Sequence, residues 1–266
     1  AKALDGVDVA YYLLHSMDGK GDFESRDRRL ARTFGQAARR AGTPRLVYLS
    51  GLHPEGVLSA HLASRVEVGE ILMSSDVPTA VLQAAVILGA GSASFEMLRH
   101  LTQRLPAMIA PKWLANRIQP IAVRDVLHYL VGAADLDAGV NRTLDIGGEE
   151  VLTYRQMIER FARIDGRLPR LIVTVPVLTP WLASQWVGLV TPVPSGLAKP
   201  LVGSLLHEVV CGENDIRELV GLPAGGLTSY DDAVRAALAG DGDRPEPGTV
   251  DPERLTAADP AWAGDA

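Results

Sequence analysis

Short β-branched runs, nearly free of charge, alternate along this chain with longer amphipathic stretches, and that alternation sets the fold class. Val7–His15 (VDVAYYLLH) is a continuous apolar run of the kind a strand buried on both faces requires. Glu24–Ala41 follows, with Leu30, Phe34, Ala37 and Ala38 at helical spacing and arginines between them, which predicts an amphipathic helix closed by Gly42. Arg45–Ser50 (RLVYLS) reads as a second buried strand and Ser59–Ser75 as a second helix with Ser59 as its N-cap. Thr79–Leu88 (TAVLQAAVIL) is a third strand and Ser94–Arg104 a third helix. Strands alternating with helices at this pitch demand right-handed crossovers and a parallel sheet, so an α/β fold is expected.

The second half has shorter elements. Ile118–Val123 predicts a short strand, Arg124–Ala134 a helix led by Asp125, and Thr143–Ile146 a strand ended by Gly147 and Gly148. Thr153 with Gln156 three residues later forms a capping box for a helix running to Ile164. Ile172–Val175 is a strand candidate, proline-punctuated helical pieces follow to Val220, and Tyr230–Ala239 is the last helix. The expected organisation is residues 1–165 as one α/β domain, 166–239 as an apolar, α-rich extension, and 240–266 as a disordered acidic tail.

Composition narrows the function classes. Charged residues make up 22% of the 266 and hydrophobic residues 47%, enough for a sizeable core. Net charge is −6 and no basic stripe carries interleaved aromatics, which argues against nucleic acid as a partner. The single cysteine, Cys211, rules out an internal disulfide and fits a reducing cytoplasm. Leu171–Ala198 lacks charge over a length that could span a bilayer, but Pro176, Pro180, Pro192 and Pro194 break it, which favours short buried segments over a span. An apolar face touching a membrane or a partner is the intermediate reading. Asn141-Arg142-Thr143 matches a glycosylation pattern that carries no meaning in a cytoplasmic protein. His207-Glu208-Val209-Val210-Cys211 lacks the second histidine of the zinc-protease pattern, so no metal site is assigned.

In a doubly wound sheet the ligand binds outside the carboxyl ends of the strands. The loops that matter are therefore His15–Met17, Ser50–His53 and Ala84–Ser92. A Gly-x-Gly-x-x-Gly turn opening a helix after the first strand would mark a dinucleotide site, and neither Gly19 and Gly21 nor Gly89 and Gly91 supply it.

The segments GVDVAYYLLHSM, RLVYLSGLHP, LSAHLASRVEVGEILMSS, VPTAVLQAAVILGAGSASFEMLR, IQPIAVRDVLHYL and TLDIGGEEVLTYRQM, in this order, resemble the later part of an atypical, extended short-chain dehydrogenase/reductase. The resemblance points to actinobacterial NAD(P)H-binding proteins related to the NmrA-like regulators and to the accessory dinucleotide-binding subunit of respiratory complex I. It implies a partial Rossmann-type parallel sheet whose first strands, with the glycine-rich loop, would precede Ala1. It also implies NAD or NADP as cofactor, with binding by this chain alone in doubt, and a homo-oligomer as the alternative way to complete the sheet.

The resemblance also implies a site. The family places a serine after its fifth strand and a Tyr-x-x-x-Lys pair on the next helix. Here Ser50 ends the strand, and His61 and Arg65 occupy the positions of the pair, so Ser50, His61 and Arg65 are the candidate catalytic residues. A histidine exchanges a proton near neutral pH, whereas arginine keeps its proton and donates hydrogen bonds to ribose or phosphate. His15, Ser16, Met17, Ser50, Gly51, Arg65, Ala84, Ala85 and Val86 are the candidate cofactor-binding residues, and Gln83 stands where many family members carry arginine. His53 and Pro54 would shape the substrate loop, and Trp113, Trp181 and Trp186 either line an apolar pocket or pack in the core. The function so implied is an oxidoreductase or isomerase acting on a small apolar substrate. The alternative is a non-catalytic dinucleotide sensor or assembly factor, which the departure from Tyr-x-x-x-Lys favours.

Overall fold

The computed structural model describes residues 2–14, 16, 22–53, 58–175, 191–194, 203, 206–240, 251, 254–256, 259, 260, 262 and 263. In chain order they form β1 (Val9–Tyr12), α1 (Phe23–Ala41), β2 (Arg45–Gly51), α2 (Ala60–Met73), β3 (Thr79–Ala84), β4 (Ile87–Leu88) and α3 (Ala93–Arg104). Then come β5 (Ala107–Pro111), β6 (Arg117–Ile118), β7 (Ile121–Ala122), α4 (Val123–Gly132), β8 (Arg142–Ile146), β9 (Leu152–Thr153), α5 (Tyr154–Ile164) and β10 (Leu171–Val175). A helical turn at Ile216–Leu219 and the helix α6 (Tyr230–Ala239) complete the set. The chain divides into two compact units: one is Ala1–Ala84, Val126–Ile146 and Cys211–Gly226, the other Ala85–Asp125, Gly147–Val210 and Leu227–Ala266.

The first unit is a four-stranded, fully parallel sheet in the order β1-β2-β3-β8. This is the Rossmann-type arrangement expected from the strand–helix alternation. Side chains alternate between faces along a strand, so neighbours Tyr11 and Tyr12 face opposite layers. Tyr12 packs against Phe34 of α1 at 5.1 Å between ring centres and against Tyr48 of β2 at 5.8 Å. Ala31 and Ala38 from α1, and Val68 and Leu72 from α2, close over Leu46, Tyr48 and Val81. On the other face the Tyr11 hydroxyl donates to the Leu130 carbonyl of α4 at 3.2 Å. β2 and β3 are buried along nearly their whole length, which is why they read as near-continuous apolar runs.

Two polar side chains, Arg45 buried and Asn141 exposed, fasten the amino ends of the strands. Arg45, 3% exposed, donates Nη1 to the Val140 carbonyl at 2.6 Å and Nη2 to the Leu136 and Asp137 carbonyls at 2.7 and 2.5 Å. Asn141 accepts from the Thr79 backbone N–H at 3.0 Å and donates to the Met73 carbonyl at 3.2 Å, joining the start of β3 to the turn before β8. Gly42, at φ 70°, stops α1 as expected.

The second unit holds three small strand pairs: β4 with β7 and β5 with β10 are parallel, and β6 with β9 is antiparallel. Two expectations are corrected here. Thr79–Leu88 is not one strand. β3 ends at Ala84, and after Ala85 and Val86 the chain pairs with β7 instead, the Val86 carbonyl accepting from Ile121 N–H at 2.9 Å. Ile118–Val123 is likewise split, because Pro120 has no N–H to give to a ladder. α5 carries the expected capping box, Thr153 with Gln156. Phe95 and Phe161 join α3 to α5 at 5.9 Å between rings. Arg160 pairs with Glu150, reaches Asp231 of α6 at 2.8 Å and lies 4.9 Å from the centre of the Tyr230 ring. Asp125, fully buried, accepts from the Thr228 N–H at 2.8 Å and from its hydroxyl at 3.0 Å. Among the described residues no helix is long and apolar enough to cross a membrane.

Candidate active site

The register of the first unit's sheet builds a polar row at its carboxyl edge. Ser50 of β2 stands opposite Gln83 of β3, and Gln83 opposite Asp145 of β8. Register partners on parallel strands share a face, so these three side chains leave the same side of the sheet. Ser50 is 2% exposed, and its Oγ makes no hydrogen bond of standard geometry. Gln83 is 5% exposed.

Helix α2 brings Arg65 to the end of β2. Ser59 starts the helix by accepting from the Leu62 N–H at 3.3 Å, which sets His61 and Arg65 one turn apart. Arg65 Nη2 donates to the Leu49 carbonyl at 2.8 Å, while its buried Nε has no partner among the described residues. Gly51 makes room for it: a Cβ there would lie 3.4 Å from Arg65 Nε and 3.3 Å from Leu62 Cδ2. His61 is 8% exposed.

Tyr48, which sequence reasoning passed over, sits under this group. Its hydroxyl donates weakly to the Arg65 carbonyl, at 3.4 Å. Burial pushes its pKa up, and the nearby Arg65 charge and Ser50 hydroxyl only partly oppose this. At 2% exposure Tyr48 is a protonated core phenol, not an activated one.

The β8 end of the row has the opposite electrostatics. Asp145 Oδ2 accepts from the Gly212 N–H at 2.8 Å, and the Asp145 N–H donates to Glu213 Oε1 at 2.6 Å. Burial raises the Asp145 pKa and the Glu213 charge pushes the same way; the hydrogen bonds from the Gly212 and Glu213 backbone N–H groups and the nearby His53 pull against them without prevailing. Cys211 is pushed up to about 12, mainly by burial and then by Asp145 and Glu213, so it stays a thiol at neutral pH and is a poor nucleophile.

The structure distributes the residues expected from sequence as follows. Arg65 lies against Gly51 at the end of β2, next to Ser50 in the chain, while His61 is buried one turn earlier on α2. Ala84 ends β3, and its carbonyl accepts from Leu52 N–H at 2.8 Å. Ser16, half-buried, follows β1, whereas His15, Met17 and Pro54 lie outside the described residues, as do Trp181 and Trp186. Ala85 and Val86 belong to the second unit. Trp113 stacks edge-on against Tyr154 at 6.3 Å in that unit. His128 is a packing residue, its Nε2 3.1 Å from the Gly221 carbonyl and its ring 5.4 Å from Tyr129. Asp145 and Glu213 gave no local signal, because Gly212 meets Asp145 from 67 residues further along the chain.

No protein-family model and no curated protein sequence matches the chain. Solved structures do. Citrobacter sp. triphenylmethane reductase is 16% identical with a TM-score of 0.67, over 90% of this chain and 78% of that one. The same enzyme complexed with NADP(H) has a TM-score of 0.64 at 16% identity, over 88% and 78%. An NADPH-dependent quinone oxidoreductase from Escherichia coli, complexed with NADPH, is 18% identical with a TM-score of 0.64, over 88% and 77%. A nucleoside-diphosphate-sugar epimerase from Staphylococcus aureus is 11% identical with a TM-score of 0.64, over 88% and 78%. At such identities the likeness is one of architecture, and the chain shares the Rossmann-type fold of these reductases and epimerases.

Proposed function

We propose that the chain binds NAD or NADP along the carboxyl ends of β1, β2 and β3 and acts as a short-chain dehydrogenase/reductase-like oxidoreductase or isomerase on a small apolar substrate. The observation that carries this reading is the Arg65 guanidinium, tethered to the Leu49 carbonyl beside the side-chain-free Gly51 and with Nε still available. A guanidinium so held suits a ribose hydroxyl or a diphosphate oxygen. Ser16, Ser50, Gly51, Arg65 and Ala84 are the residues of the first unit that would hold the dinucleotide, with Ala85 and Val86 continuing the chain beyond β3. Bound nicotinamide supplies or takes up a hydride. The Arg65 guanidinium would orient the ligand through its fixed donors, and the His61 imidazole would be the acid–base member of the pair. The structural neighbours that carry NADP(H) and NADPH support the cofactor assignment.

A second reading, a non-catalytic dinucleotide sensor or assembly factor, draws on the burial of His61 and Tyr48, which are 8% and 2% exposed. Fluorescence titration with NADH and NADPH, followed by NADPH oxidation assays with 1,4-benzoquinone, separates the two. The first reading expects turnover that His61→Phe abolishes, and binding that Arg65→Met weakens at least about tenfold, the loss of one charge-assisted contact. Binding without turnover on a broad substrate panel selects the sensor. Failure of either nucleotide to bind refutes both.

A further inference from the structure

The polar row changes character along its length. At the β2 end stands Arg65; in the middle are a buried hydroxyl, Ser50, without a hydrogen bond of standard geometry, and the buried amide of Gln83; at the β8 end stands the Asp145 carboxylate. Glu213 is fully engaged, its two oxygens accepting from the Asp145 and Asp215 backbone N–H groups, and so acts as a fixed negative charge behind Asp145. The exposed Arg142 is taken up by Asp215. The Asp145 carboxylate accepts from the backbone N–H groups of Gly212 and Glu213, which fix it in place, and a carboxylate with about four lone-pair sites keeps acceptor capacity beyond these two. A buried hydroxyl without a hydrogen bond of standard geometry is costly unless something partners it in the working state.

We propose that the β8 end of the row is the substrate-reading end of the site, where Asp145 and Gln83 select a neutral or cationic substrate bearing a hydroxyl or amine donor and reject carboxylates and phosphates. The inference rests on the reading that the carboxyl edge of this sheet is the ligand site. It fixes a direction within that site: anionic groups lie toward Arg65, and the reacting molecule lies toward Asp145. Two carboxylates held on backbone N–H groups repel an anion and attract a donor. Burial, which already lifts the Asp145 pKa, strengthens the discrimination by thinning the solvent around it.

The test uses three probes of one shape: benzylamine, benzyl alcohol and benzoate. Each is titrated into the full chain at pH 7.5, with NMR following the Gln83 side-chain amide and the Gly212 backbone amide. Benzylamine, as its ammonium, and benzyl alcohol are expected to shift both resonances and to bind at least about fivefold more tightly than benzoate, the discrimination one partly screened charge provides. Asp145→Asn, which keeps the acceptor for Gly212, is expected to bring benzylamine and benzoate to within about twofold of each other. Equal binding of all three probes, binding by none, or an order unchanged in Asp145→Asn would overturn the proposal. A parallel NADPH titration keeps the two readings apart. NADPH binding without the probe order sinks only the inference; the probe order without NADPH binding sinks only the dinucleotide reading.

Discussion

Replacing Arg45 by methionine is expected to destabilise the first unit by about 2–4 kcal/mol. The side chain is 3% exposed and makes three hydrogen bonds, to the carbonyls of Leu136, Asp137 and Val140. A hydrogen bond from a charged donor nets roughly 1.5–3 kcal/mol, so simple addition would exceed the expected loss. Two effects reduce it. The acceptors lie on a turn where Asp137 is exposed and Leu136 and Val140 are half-buried, so water can take over some of them. The buried guanidinium also carries a desolvation cost, seen in its lowered pKa, that methionine does not. Urea unfolding followed by circular dichroism measures the result as a lower midpoint at unchanged slope. Arg45 contacts the Asp137 carbonyl, while the Asp137 carboxylate accepts from the Gly139 N–H at 2.7 Å. Asp137→Asn should therefore cost well under the Arg45→Met loss, and that loss should be constant between about pH 6 and 9, where arginine stays charged. A change within about 0.5 kcal/mol of zero, or one that tracks the Asp137 carboxylate, would refute the account.

Asn141→Ala removes the acceptor for the Thr79 N–H and the donor to the Met73 carbonyl, and is expected to cost about 1–2 kcal/mol in the same assay, with Asn141→Asp recovering the part due to the Thr79 bond. Glu150 is held below its ordinary carboxyl pKa of 4.5, chiefly by its hydrogen bond to Arg160, with burial opposing. A depressed folded pKa adds stability that is present above the unfolded pKa and lost as the pH falls through the folded one. Glu150→Gln should thus lower the melting temperature at pH 7, by no more than about 1 kcal/mol equivalent given partial exposure, and the gap to wild type should close below pH 4; a gap unchanged in acid would contradict the pairing.

Much of the framework was legible because its signals are local. Ser59 and Thr153 cap the helices assigned to them, and Arg45–Ser50, bounded by Pro44 and Gly51, became β2 with one residue added. The failures share a cause. TAVLQAAVIL is uniformly apolar, and nothing within it says that two partners, β8 and β7, take its two halves. β5 went unseen because AMIAP shows period-2 burial only once β10 lies beside it. At the candidate site, Ser50 and Arg65 were singled out by the family resemblance, and the fold puts Arg65 against Gly51, the residue after Ser50. Gln83 and Asp145 could not be read as neighbours, since their pairing is a matter of register between distant strands.

The first unit is assembled from three separate lengths of chain, the last of them Cys211–Gly226, and β8 joins the sheet only after an excursion through other structure. During synthesis, β1, β2 and β3 therefore leave the ribosome long before the strand that covers the open side of β3. A nascent chain halted after α3 would display that β-branched edge to solvent, ready to pair with whatever extended segment it meets. Slow maturation and a need for chaperones are the expected signature of such a layout, because loop-closure entropy is spent well before the pairing that compensates it. Stop codons in the final third would for the same reason damage the amino-terminal half as severely as the region they delete.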